Sequence, residues 1–256
     1  MSGKLIVFEG GEGSGKTTQI KRLHEYLTQS EGLKLLQTEN RVRGIKLTRE
    51  PGGTALGKQI RHLLLHYQPD LADESVTPMP IVSKAELLLY AADRAQHVEE
   101  VLLPWLKQGY WVLCDRYTDS TVAYQGYGRQ LDLALIHQLN QIATSQLKSD
   151  LTFWLKVPPA VGLARMHQRG QADRIEQASG LFHQRVSEGF AALAANSQAA
   201  EEAADKMAGG DCADENLYGS GPTVEVDGDR PASVVAAEIQ QIFQRRLGEW
   251  YPPPLL

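Results

Sequence analysis

The stretch Lys4-Leu5-Ile6-Val7-Phe8-Glu9-Gly10-Gly11-Glu12-Gly13-Ser14-Gly15-Lys16-Thr17-Thr18-Gln19 decides the fold. Its first half is an apolar run of the kind that makes a buried strand. Its second half places glycines at 10, 11, 13 and 15 and then opens a helix-forming segment. Gly10 to Thr17 satisfies G-x-x-x-x-G-K-[ST] between strand and helix. Glycines let the main chain curl so that several N–H groups face one side, and the following helix adds the positive end of its dipole. A loop of that kind holds a polyphosphate. Gly10, Gly11, Glu12, Gly13, Ser14, Gly15, Lys16, Thr17 and Thr18 are therefore the expected site for a triphosphate. Lys16 is expected to reach the β- and γ-phosphates and the Thr17 hydroxyl to hold Mg²⁺.

Outward from this loop, short apolar runs alternate with longer helical patterns. Strands are expected at Leu5–Glu9, Ile45–Arg49, Tyr110–Asp115, Leu151–Val157 and Thr223–Asp227. Helices are expected at Gly15–Ser30, Thr54–His66, Ser83–Gln108, Asp132–Ser145, Pro159–Gln168, Glu176–Ala194 and Pro231–Gly248. Strands apolar throughout and separated by helices imply a five-stranded parallel sheet covered on both faces, a three-layer αβα phosphate-loop NTPase fold. Ser83-Lys84-Ala85-Glu86 has the form of a capping box, and Asp229 with Pro231 marks the start of the last helix. One domain is expected to span all 256 residues. Residues 194–222 are Ala-, acid- and then Gly-rich, which suggests a helix extension followed by an exposed loop. Residues 249–256 carry three prolines and suggest an extended tail.

Bulk composition excludes several classes. The net charge is -5, with no basic excess, so no nucleic-acid partner is expected. No apolar stretch approaches the roughly 20 residues that span a bilayer. The N-terminus has no charged and apolar leader pattern. Cys114 and Cys212 make no metal-spaced pair, which suits a reducing, cytoplasmic setting.

Three further stretches lie where ligands of open α/β sheets bind, at the carboxyl ends of strands or on the helices beside them. Leu47-Thr48-Arg49-Glu50-Pro51-Gly52-Gly53-Thr54 follows the second strand, and Arg49 there suits a phosphate. In Leu87-Leu88-Leu89-Tyr90-Ala91-Ala92-Asp93-Arg94, Tyr90 and Arg94 share one helix face, a ring beside a guanidinium that suits a planar base. In Asp115-Arg116-Tyr117-Thr118-Asp119-Ser120-Thr121-Val122-Ala123-Tyr124-Gln125-Gly126, Arg116 is placed to grip an acceptor phosphate and Asp115 to organise metal or arginine.

Together with Asp173-Arg174-Ile175-Glu176, these motifs in this order resemble the thymidylate kinases, over Lys4 to about Asn196 and again from Thr223. The resemblance implies transfer of the γ-phosphoryl of ATP to dTMP. It implies that Glu12 approaches the sugar 3′-hydroxyl, that Tyr90 stacks on thymine and that Arg94 reads the base. Arg116 with Arg49 then clamps the dTMP phosphate, Ser120, Thr121 and Gln125 lie beside the nucleotide, and Tyr124 crowds the 2′ position. It implies a mobile lid at about 163–176, whose Arg165, Arg169 and Arg174 close over the transferring group, with Arg165 and Arg169 favoured as catalytic. It also implies a homodimer packed through the helix at Ser83–Gln108, where Leu87, Leu88, Ala91, Ala95, Val98, Leu102 and Trp105 form an apolar stripe. Two other readings stay open on the residues alone: a kinase for a different nucleoside monophosphate, and a non-catalytic nucleotide switch.

Overall fold

The computed structural model describes residues 3–67, 79–168, 170, 173–206 and 221–252, without the side chains of 201 and 203–206. Arg169, Cys212, residues 207–220 of the expected insertion and residues 253–256 of the expected tail lie outside the described residues. In chain order the elements are β1 (Lys4–Glu9), α1 (Lys16–Gln29), α2 (Glu31–Thr38), β2 (Gly44–Arg49), α3 (Ala55–His66) and α4 (Ser83–His97). A π-helical segment, Val98–Leu102, joins α4 to α5 (Leu103–Lys107), followed by β3 (Tyr110–Asp115), α6 (Thr118–Thr121) and a second π-helical segment, Val122–Gly128. The chain continues through α7 (Leu133–Thr144), β4 (Leu151–Lys156), α8 (Pro159–His167), α9 (Gly180–Lys206), β5 (Thr223–Asp227) and α10 (Ala232–Trp250).

All five strands are parallel in the order β2-β3-β1-β4-β5. Successive residues of β1 point to opposite faces, and both faces are dry. Ile6 and Phe8 join Leu23 of α1, Leu36 of α2 and Ile239 of α10. Leu5 and Val7 join Val98, Leu102 and Tyr117 on the other side. Each such fully buried side chain contributes about 1.5–3 kcal/mol, and strands buried on both faces read as unbroken apolar runs. This is the expected three-layer arrangement. β1 sits between β3 and β4; the connection from β1 runs to β2 on one side and that from β3 crosses to β4 on the other, so the loop after β1 opens into the crevice at the sheet's carboxyl edge.

The element boundaries differ from expectation at three instructive places. Glu31–Thr38 is a helix, capped by Ser30 Oγ accepting from Leu33 N at 3.2 Å and held by the buried Leu33 and Leu36. The capping box at Ser83 does not form: α4 begins at Ser83 itself, with Val82 before it and no side-chain cap. Glu86 is fully buried and bonded to Gln125, Arg129 and Arg174, so it does not reach back to the helix start. The last helix continues through Trp250, beyond the expected start of the tail at 249. Trp250 packs on Phe243, and the Tyr251 hydroxyl accepts from Trp111 Nε1 at 3.0 Å. The helix expected to end at Ala194 runs on to Lys206, which fits the expected extension. Within the stripe read on Ser83–Gln108, Leu87, Val98 and Leu102 are core residues while Leu88 is 56 % exposed.

Candidate active site

The loop after β1 is built around its glycines. A Cβ on Gly13, whose φ is +67°, would stand 2.1 Å from the carbonyl oxygen of Gly162 in α8. A Cβ at Gly11 or Gly15 would meet nothing within 4 Å. The first fact says why the loop packs only as glycine; the second leaves bare main chain facing outward, a cradle that side chains would fill. Lys16 Nζ donates to Gly10 O (3.0 Å), Gly11 O (2.9 Å) and Ser14 Oγ (3.2 Å). Burial, with the nearby Arg116 charge, lowers the Lys16 ammonium to about 8. Thr17 Oγ1 donates to Asp115 Oδ2 at 2.9 Å, so the hydroxyl and carboxylate expected at a metal are adjacent.

Arg116 leaves the end of β3 with a left-handed backbone, φ +72°, its N–H donating to Phe8 O at 3.0 Å. Its Nη1 donates to Gly10 O and to Ser120 Oγ, both at 3.0 Å. Its Nη2 donates to Glu12 Oε1 at 2.6 Å and to the Tyr124 hydroxyl at 3.1 Å. The Tyr124 hydroxyl in turn donates to Glu12 Oε1 at 2.7 Å. Burial alone would lift the Glu12 carboxyl; the Arg116 and Lys16 charges win and hold it at about 2. Behind this group Glu9, fully buried, accepts from Tyr117 N (2.8 Å), Ser120 N (3.1 Å) and Ser120 Oγ (2.5 Å).

Arg94 is only 2 % exposed. Its Nε donates to Glu50 Oε2 (2.8 Å), Nη1 to Thr121 Oγ1 (2.7 Å) and Asn140 Oδ1 (2.8 Å), and Nη2 to Tyr117 O (2.8 Å). His97 Nδ1 meets the other Glu50 oxygen at 2.9 Å, and Asp93 accepts from Gly52 N at 2.9 Å. The Pro-Gly-Gly turn after β2 is thereby tied to α4. The guanidinium is a fixed wall of the cavity rather than a free arm.

These parts enclose a cavity of about 260 Å³. Among the residues singled out in the sequence, Glu12, Gly13, Ser14, Gly15, Lys16, Thr17, Thr18, Arg49, Tyr90, Arg94, Asp115, Arg116, Ser120, Thr121, Tyr124 and Gln125 all line it. Gly10 takes part through its carbonyl oxygen, as does Gly11 through Lys16. Arg165 is elsewhere: its Nη1 donates to Gly228 O (3.0 Å) and its Nη2 to Asp229 Oδ1 (2.9 Å), on the turn after β5. Arg174 is anchored, donating to Leu64 O at 2.8 Å and to Glu86 Oε2 at 2.6 Å.

Sequence reasoning missed Arg61 and Glu50. Arg61 lines the cavity from α3 and donates to Pro51 O at 3.2 Å; burial and the neighbouring Arg49 lower its affinity for a proton. The available signal was its position two turns into a helix that starts at the sheet's carboxyl edge. The second π-helical segment, where Arg129 N reaches back to Tyr124 O at 2.9 Å, supplies Tyr124 and Gln125. Such wide turns often mark functional positions.

The thymidylate kinase family model matches residues 8–207. A thymidylate kinase of Acaryochloris marina is 49 % identical over 265 residues, covering 98 % of this chain and 100 % of that protein. One from Carboxydothermus hydrogenoformans is 51 % identical over 194 residues, covering 76 % of this chain and 85 % of its own length. Among solved structures, a thymidylate kinase from Ehrlichia chaffeensis superposes with a TM-score of 0.60 at 30 % identity, covering 95 % of this chain and 100 % of that one. The region matched by the family model starts at the end of β1 and takes in the glycine loop, the turns that carry Arg49 and Arg116 and the helix carrying Tyr90 and Arg94, and the chain belongs to the thymidylate kinase family.

Proposed function

We propose that the protein transfers the γ-phosphoryl group of ATP to dTMP, giving dTDP and ADP. The observation that carries this reading is one cavity lined both by the phosphate loop and by Tyr90, Arg94 and Gln125, with Arg116 reaching Gly10 O and Glu12 of the loop and the hydroxyl of Tyr124, the neighbour of Gln125. A donor held by Lys16 and an acceptor stacked on Tyr90 would meet at that arginine. The acceptor oxygen is ionised at neutral pH, so no strong general base is needed. The work is alignment of two anions and neutralisation of the charge that spreads over the transferred group. Lys16, Arg116, Arg49 and Arg61 supply positive charge. The bare loop backbone fits a triphosphate. The Thr17 hydroxyl and the Asp115 carboxylate, hard oxygen ligands 2.9 Å apart, fit Mg²⁺, which takes one or two protein oxygens beside phosphates. Mg²⁺, when bound, would add neutralising charge to the phosphate oxygens. Tyr124, fixed by Glu12 and Arg116, would crowd a ribose 2′-hydroxyl.

Residues 163–176 serve in this reading as a lid within a single domain, with Arg165 and Arg169 as its cations. Arg165 would release Gly228 and Asp229 to reach the phosphates, a contact made only on closure and worth about 10³–10⁵ in rate in related transfers. A homodimer is supported by Leu56 and Leu63 on α3, Leu88 on α4, and Leu135 and Ile142 on α7, all exposed on three helices packed side by side. Among the described residues no helix is long and apolar enough to cross a membrane, and a cytoplasmic place fits the buried free thiol of Cys114.

The test is ADP formation with ATP and a panel of nucleoside monophosphates. We expect turnover with dTMP well above that with dUMP, dCMP and purine monophosphates, and its loss in Lys16→Ala. Acceptor-independent hydrolysis, a different preferred acceptor, or near-normal kcat in Lys16→Ala would overturn the proposal.

A further inference from the structure

Glu86 lies wholly buried on α4, and phosphoryl transfer as described makes no use of it. Its Oε1 accepts from Gln125 Nε2 at 2.9 Å and Arg129 Nε at 3.1 Å. Its Oε2 accepts from Arg129 Nη2 at 3.1 Å and Arg174 Nη2 at 2.6 Å. Burial pushes the carboxyl up, but the arginine partners and the Gln125 amide outweigh it and leave the group below its ordinary value, hence ionised at neutral pH.

An ionised carboxylate can only accept hydrogen bonds. The two ends of a carboxamide are told apart by their partners, so Gln125 must give Glu86 its nitrogen. The carbonyl Oε1 is the end left for the cavity that Gln125 lines. Arg94, on the same cavity, has donors alone. The base end therefore offers one donor and one acceptor. A uracil-type ring presents the complement, an acceptor at O4 and an N–H at N3. Cytosine presents a donor at N4 and an acceptor at N3.

Resting on the dTMP reading above, we propose that Glu86 is a specificity-determining positioning residue. By fixing the direction of the Gln125 amide, it makes the site accept a pyrimidine with a proton on N3 and reject one without it. The arginines make the effect of a neutral substitute specific. In Glu86→Gln the new carbonyl oxygen takes the place of Oε2, claimed by Arg129 Nη2 and Arg174 Nη2, and the new amide nitrogen takes the place of Oε1, where Arg129 Nε loses its acceptor. Gln125 then turns its own carbonyl toward position 86 and shows the base its NH₂.

The experiment compares kcat/KM for dTMP and dCMP in the wild type, Glu86→Gln and Glu86→Asp. The ratio of dTMP to dCMP is expected to fall about 10- to 100-fold in Glu86→Gln, mostly through KM for dTMP, the size of one lost and one mismatched buried hydrogen bond. Glu86→Asp keeps an acceptor-only group and should retain the preference. Loss of both activities in equal proportion, or an unchanged ratio, overturns the proposal. Should Glu86→Gln fail to fold, the wild type decides. The N3 proton of 5-fluoro-dUMP is more acidic than that of dTMP, so its kcat/KM relative to dTMP should drop as pH rises through its N3 ionisation. A flat ratio overturns the proposal. A wild type that does not phosphorylate dTMP at all would instead remove the functional reading beneath it.

Discussion

Replacing Glu9 by glutamine removes a proton equilibrium from the centre of the molecule while keeping its shape. Glu9 is fully buried at the end of β1, and burial first, then repulsion from Asp119, raises its carboxyl from 4.5 to about 7. The folded protein thus holds this proton up to about neutrality, whereas the unfolded chain releases it near 4.5. Between those values the native state binds more protons than the unfolded one, so this group costs stability as pH rises. Its contribution is most favourable below 4.5 and is lost through about 7. The shift makes the wild type about 2–3 kcal/mol worse off, relative to Glu9→Gln, at pH 8 than at pH 5. Glutamine can still accept from Tyr117 N and Ser120 N through its oxygen and donate to Ser120 Oγ through its nitrogen, in place of the bonds Glu9 makes there. Urea unfolding of both proteins at pH 5, 6, 7 and 8 reads the gap directly. A gap that stays constant within about 0.5 kcal/mol across that range would refute the view that Glu9 is protonated in the fold at mildly acidic pH.

Arg94→Ala removes four hydrogen bonds and leaves Glu50 without its guanidinium. Denaturant unfolding should show a loss of about 3–5 kcal/mol, and KM for dTMP should rise far more than KM for ATP. Tyr124→Phe deletes the hydroxyl that donates to Glu12 Oε1 at 2.7 Å. The Glu12 carboxyl should move up from about 2, visible by ¹³C titration, and turnover of the ribose analogue relative to dTMP should increase. Cys114 is buried with its thiol pushed well above the ordinary range, and its Sγ donates to Arg116 O at 3.1 Å. Peptide mapping after alkylation should find it unmodified in the native protein and fully modified in denaturant.

The parts that were legible in the sequence are those where local chemistry leaves little choice. Four glycines and a lysine after Phe8 can be read because so sudden a stop to an apolar strand leaves bare main chain there, and β1 falls within one residue of its expected limits. Tyr90 and Arg94 could be paired because helix spacing puts them on one face. What escaped was decided by distant partners. Glu86 follows the grammar of a capping box, yet Gln125, Arg129 and Arg174 claim its oxygens from 39, 43 and 88 residues away. Arg61 looks like any solvated helix arginine until α3 is seated against the sheet's edge. Residues 31–38 are mostly helix formers, but they are few, carry a glycine and follow directly on α1, and it is the burial of Leu33 and Leu36 that holds them as a helix of their own. Arg165 lies in the expected helix, but its guanidinium follows Gly228 and Asp229, a turn the local pattern does not reveal.

Gly13 and Gly162 meet backbone to backbone, with no side chain between the phosphate loop and α8. A joint of that kind has no slack. A rotamer change can absorb a shift between two helices, but here any pivot of α8 is delivered undamped to the loop that orients Lys16. A methyl group at Gly13 would strike the Gly162 carbonyl and one at Gly162 the Glu12 carbonyl, so each position is closed to a side chain whatever stands at the other.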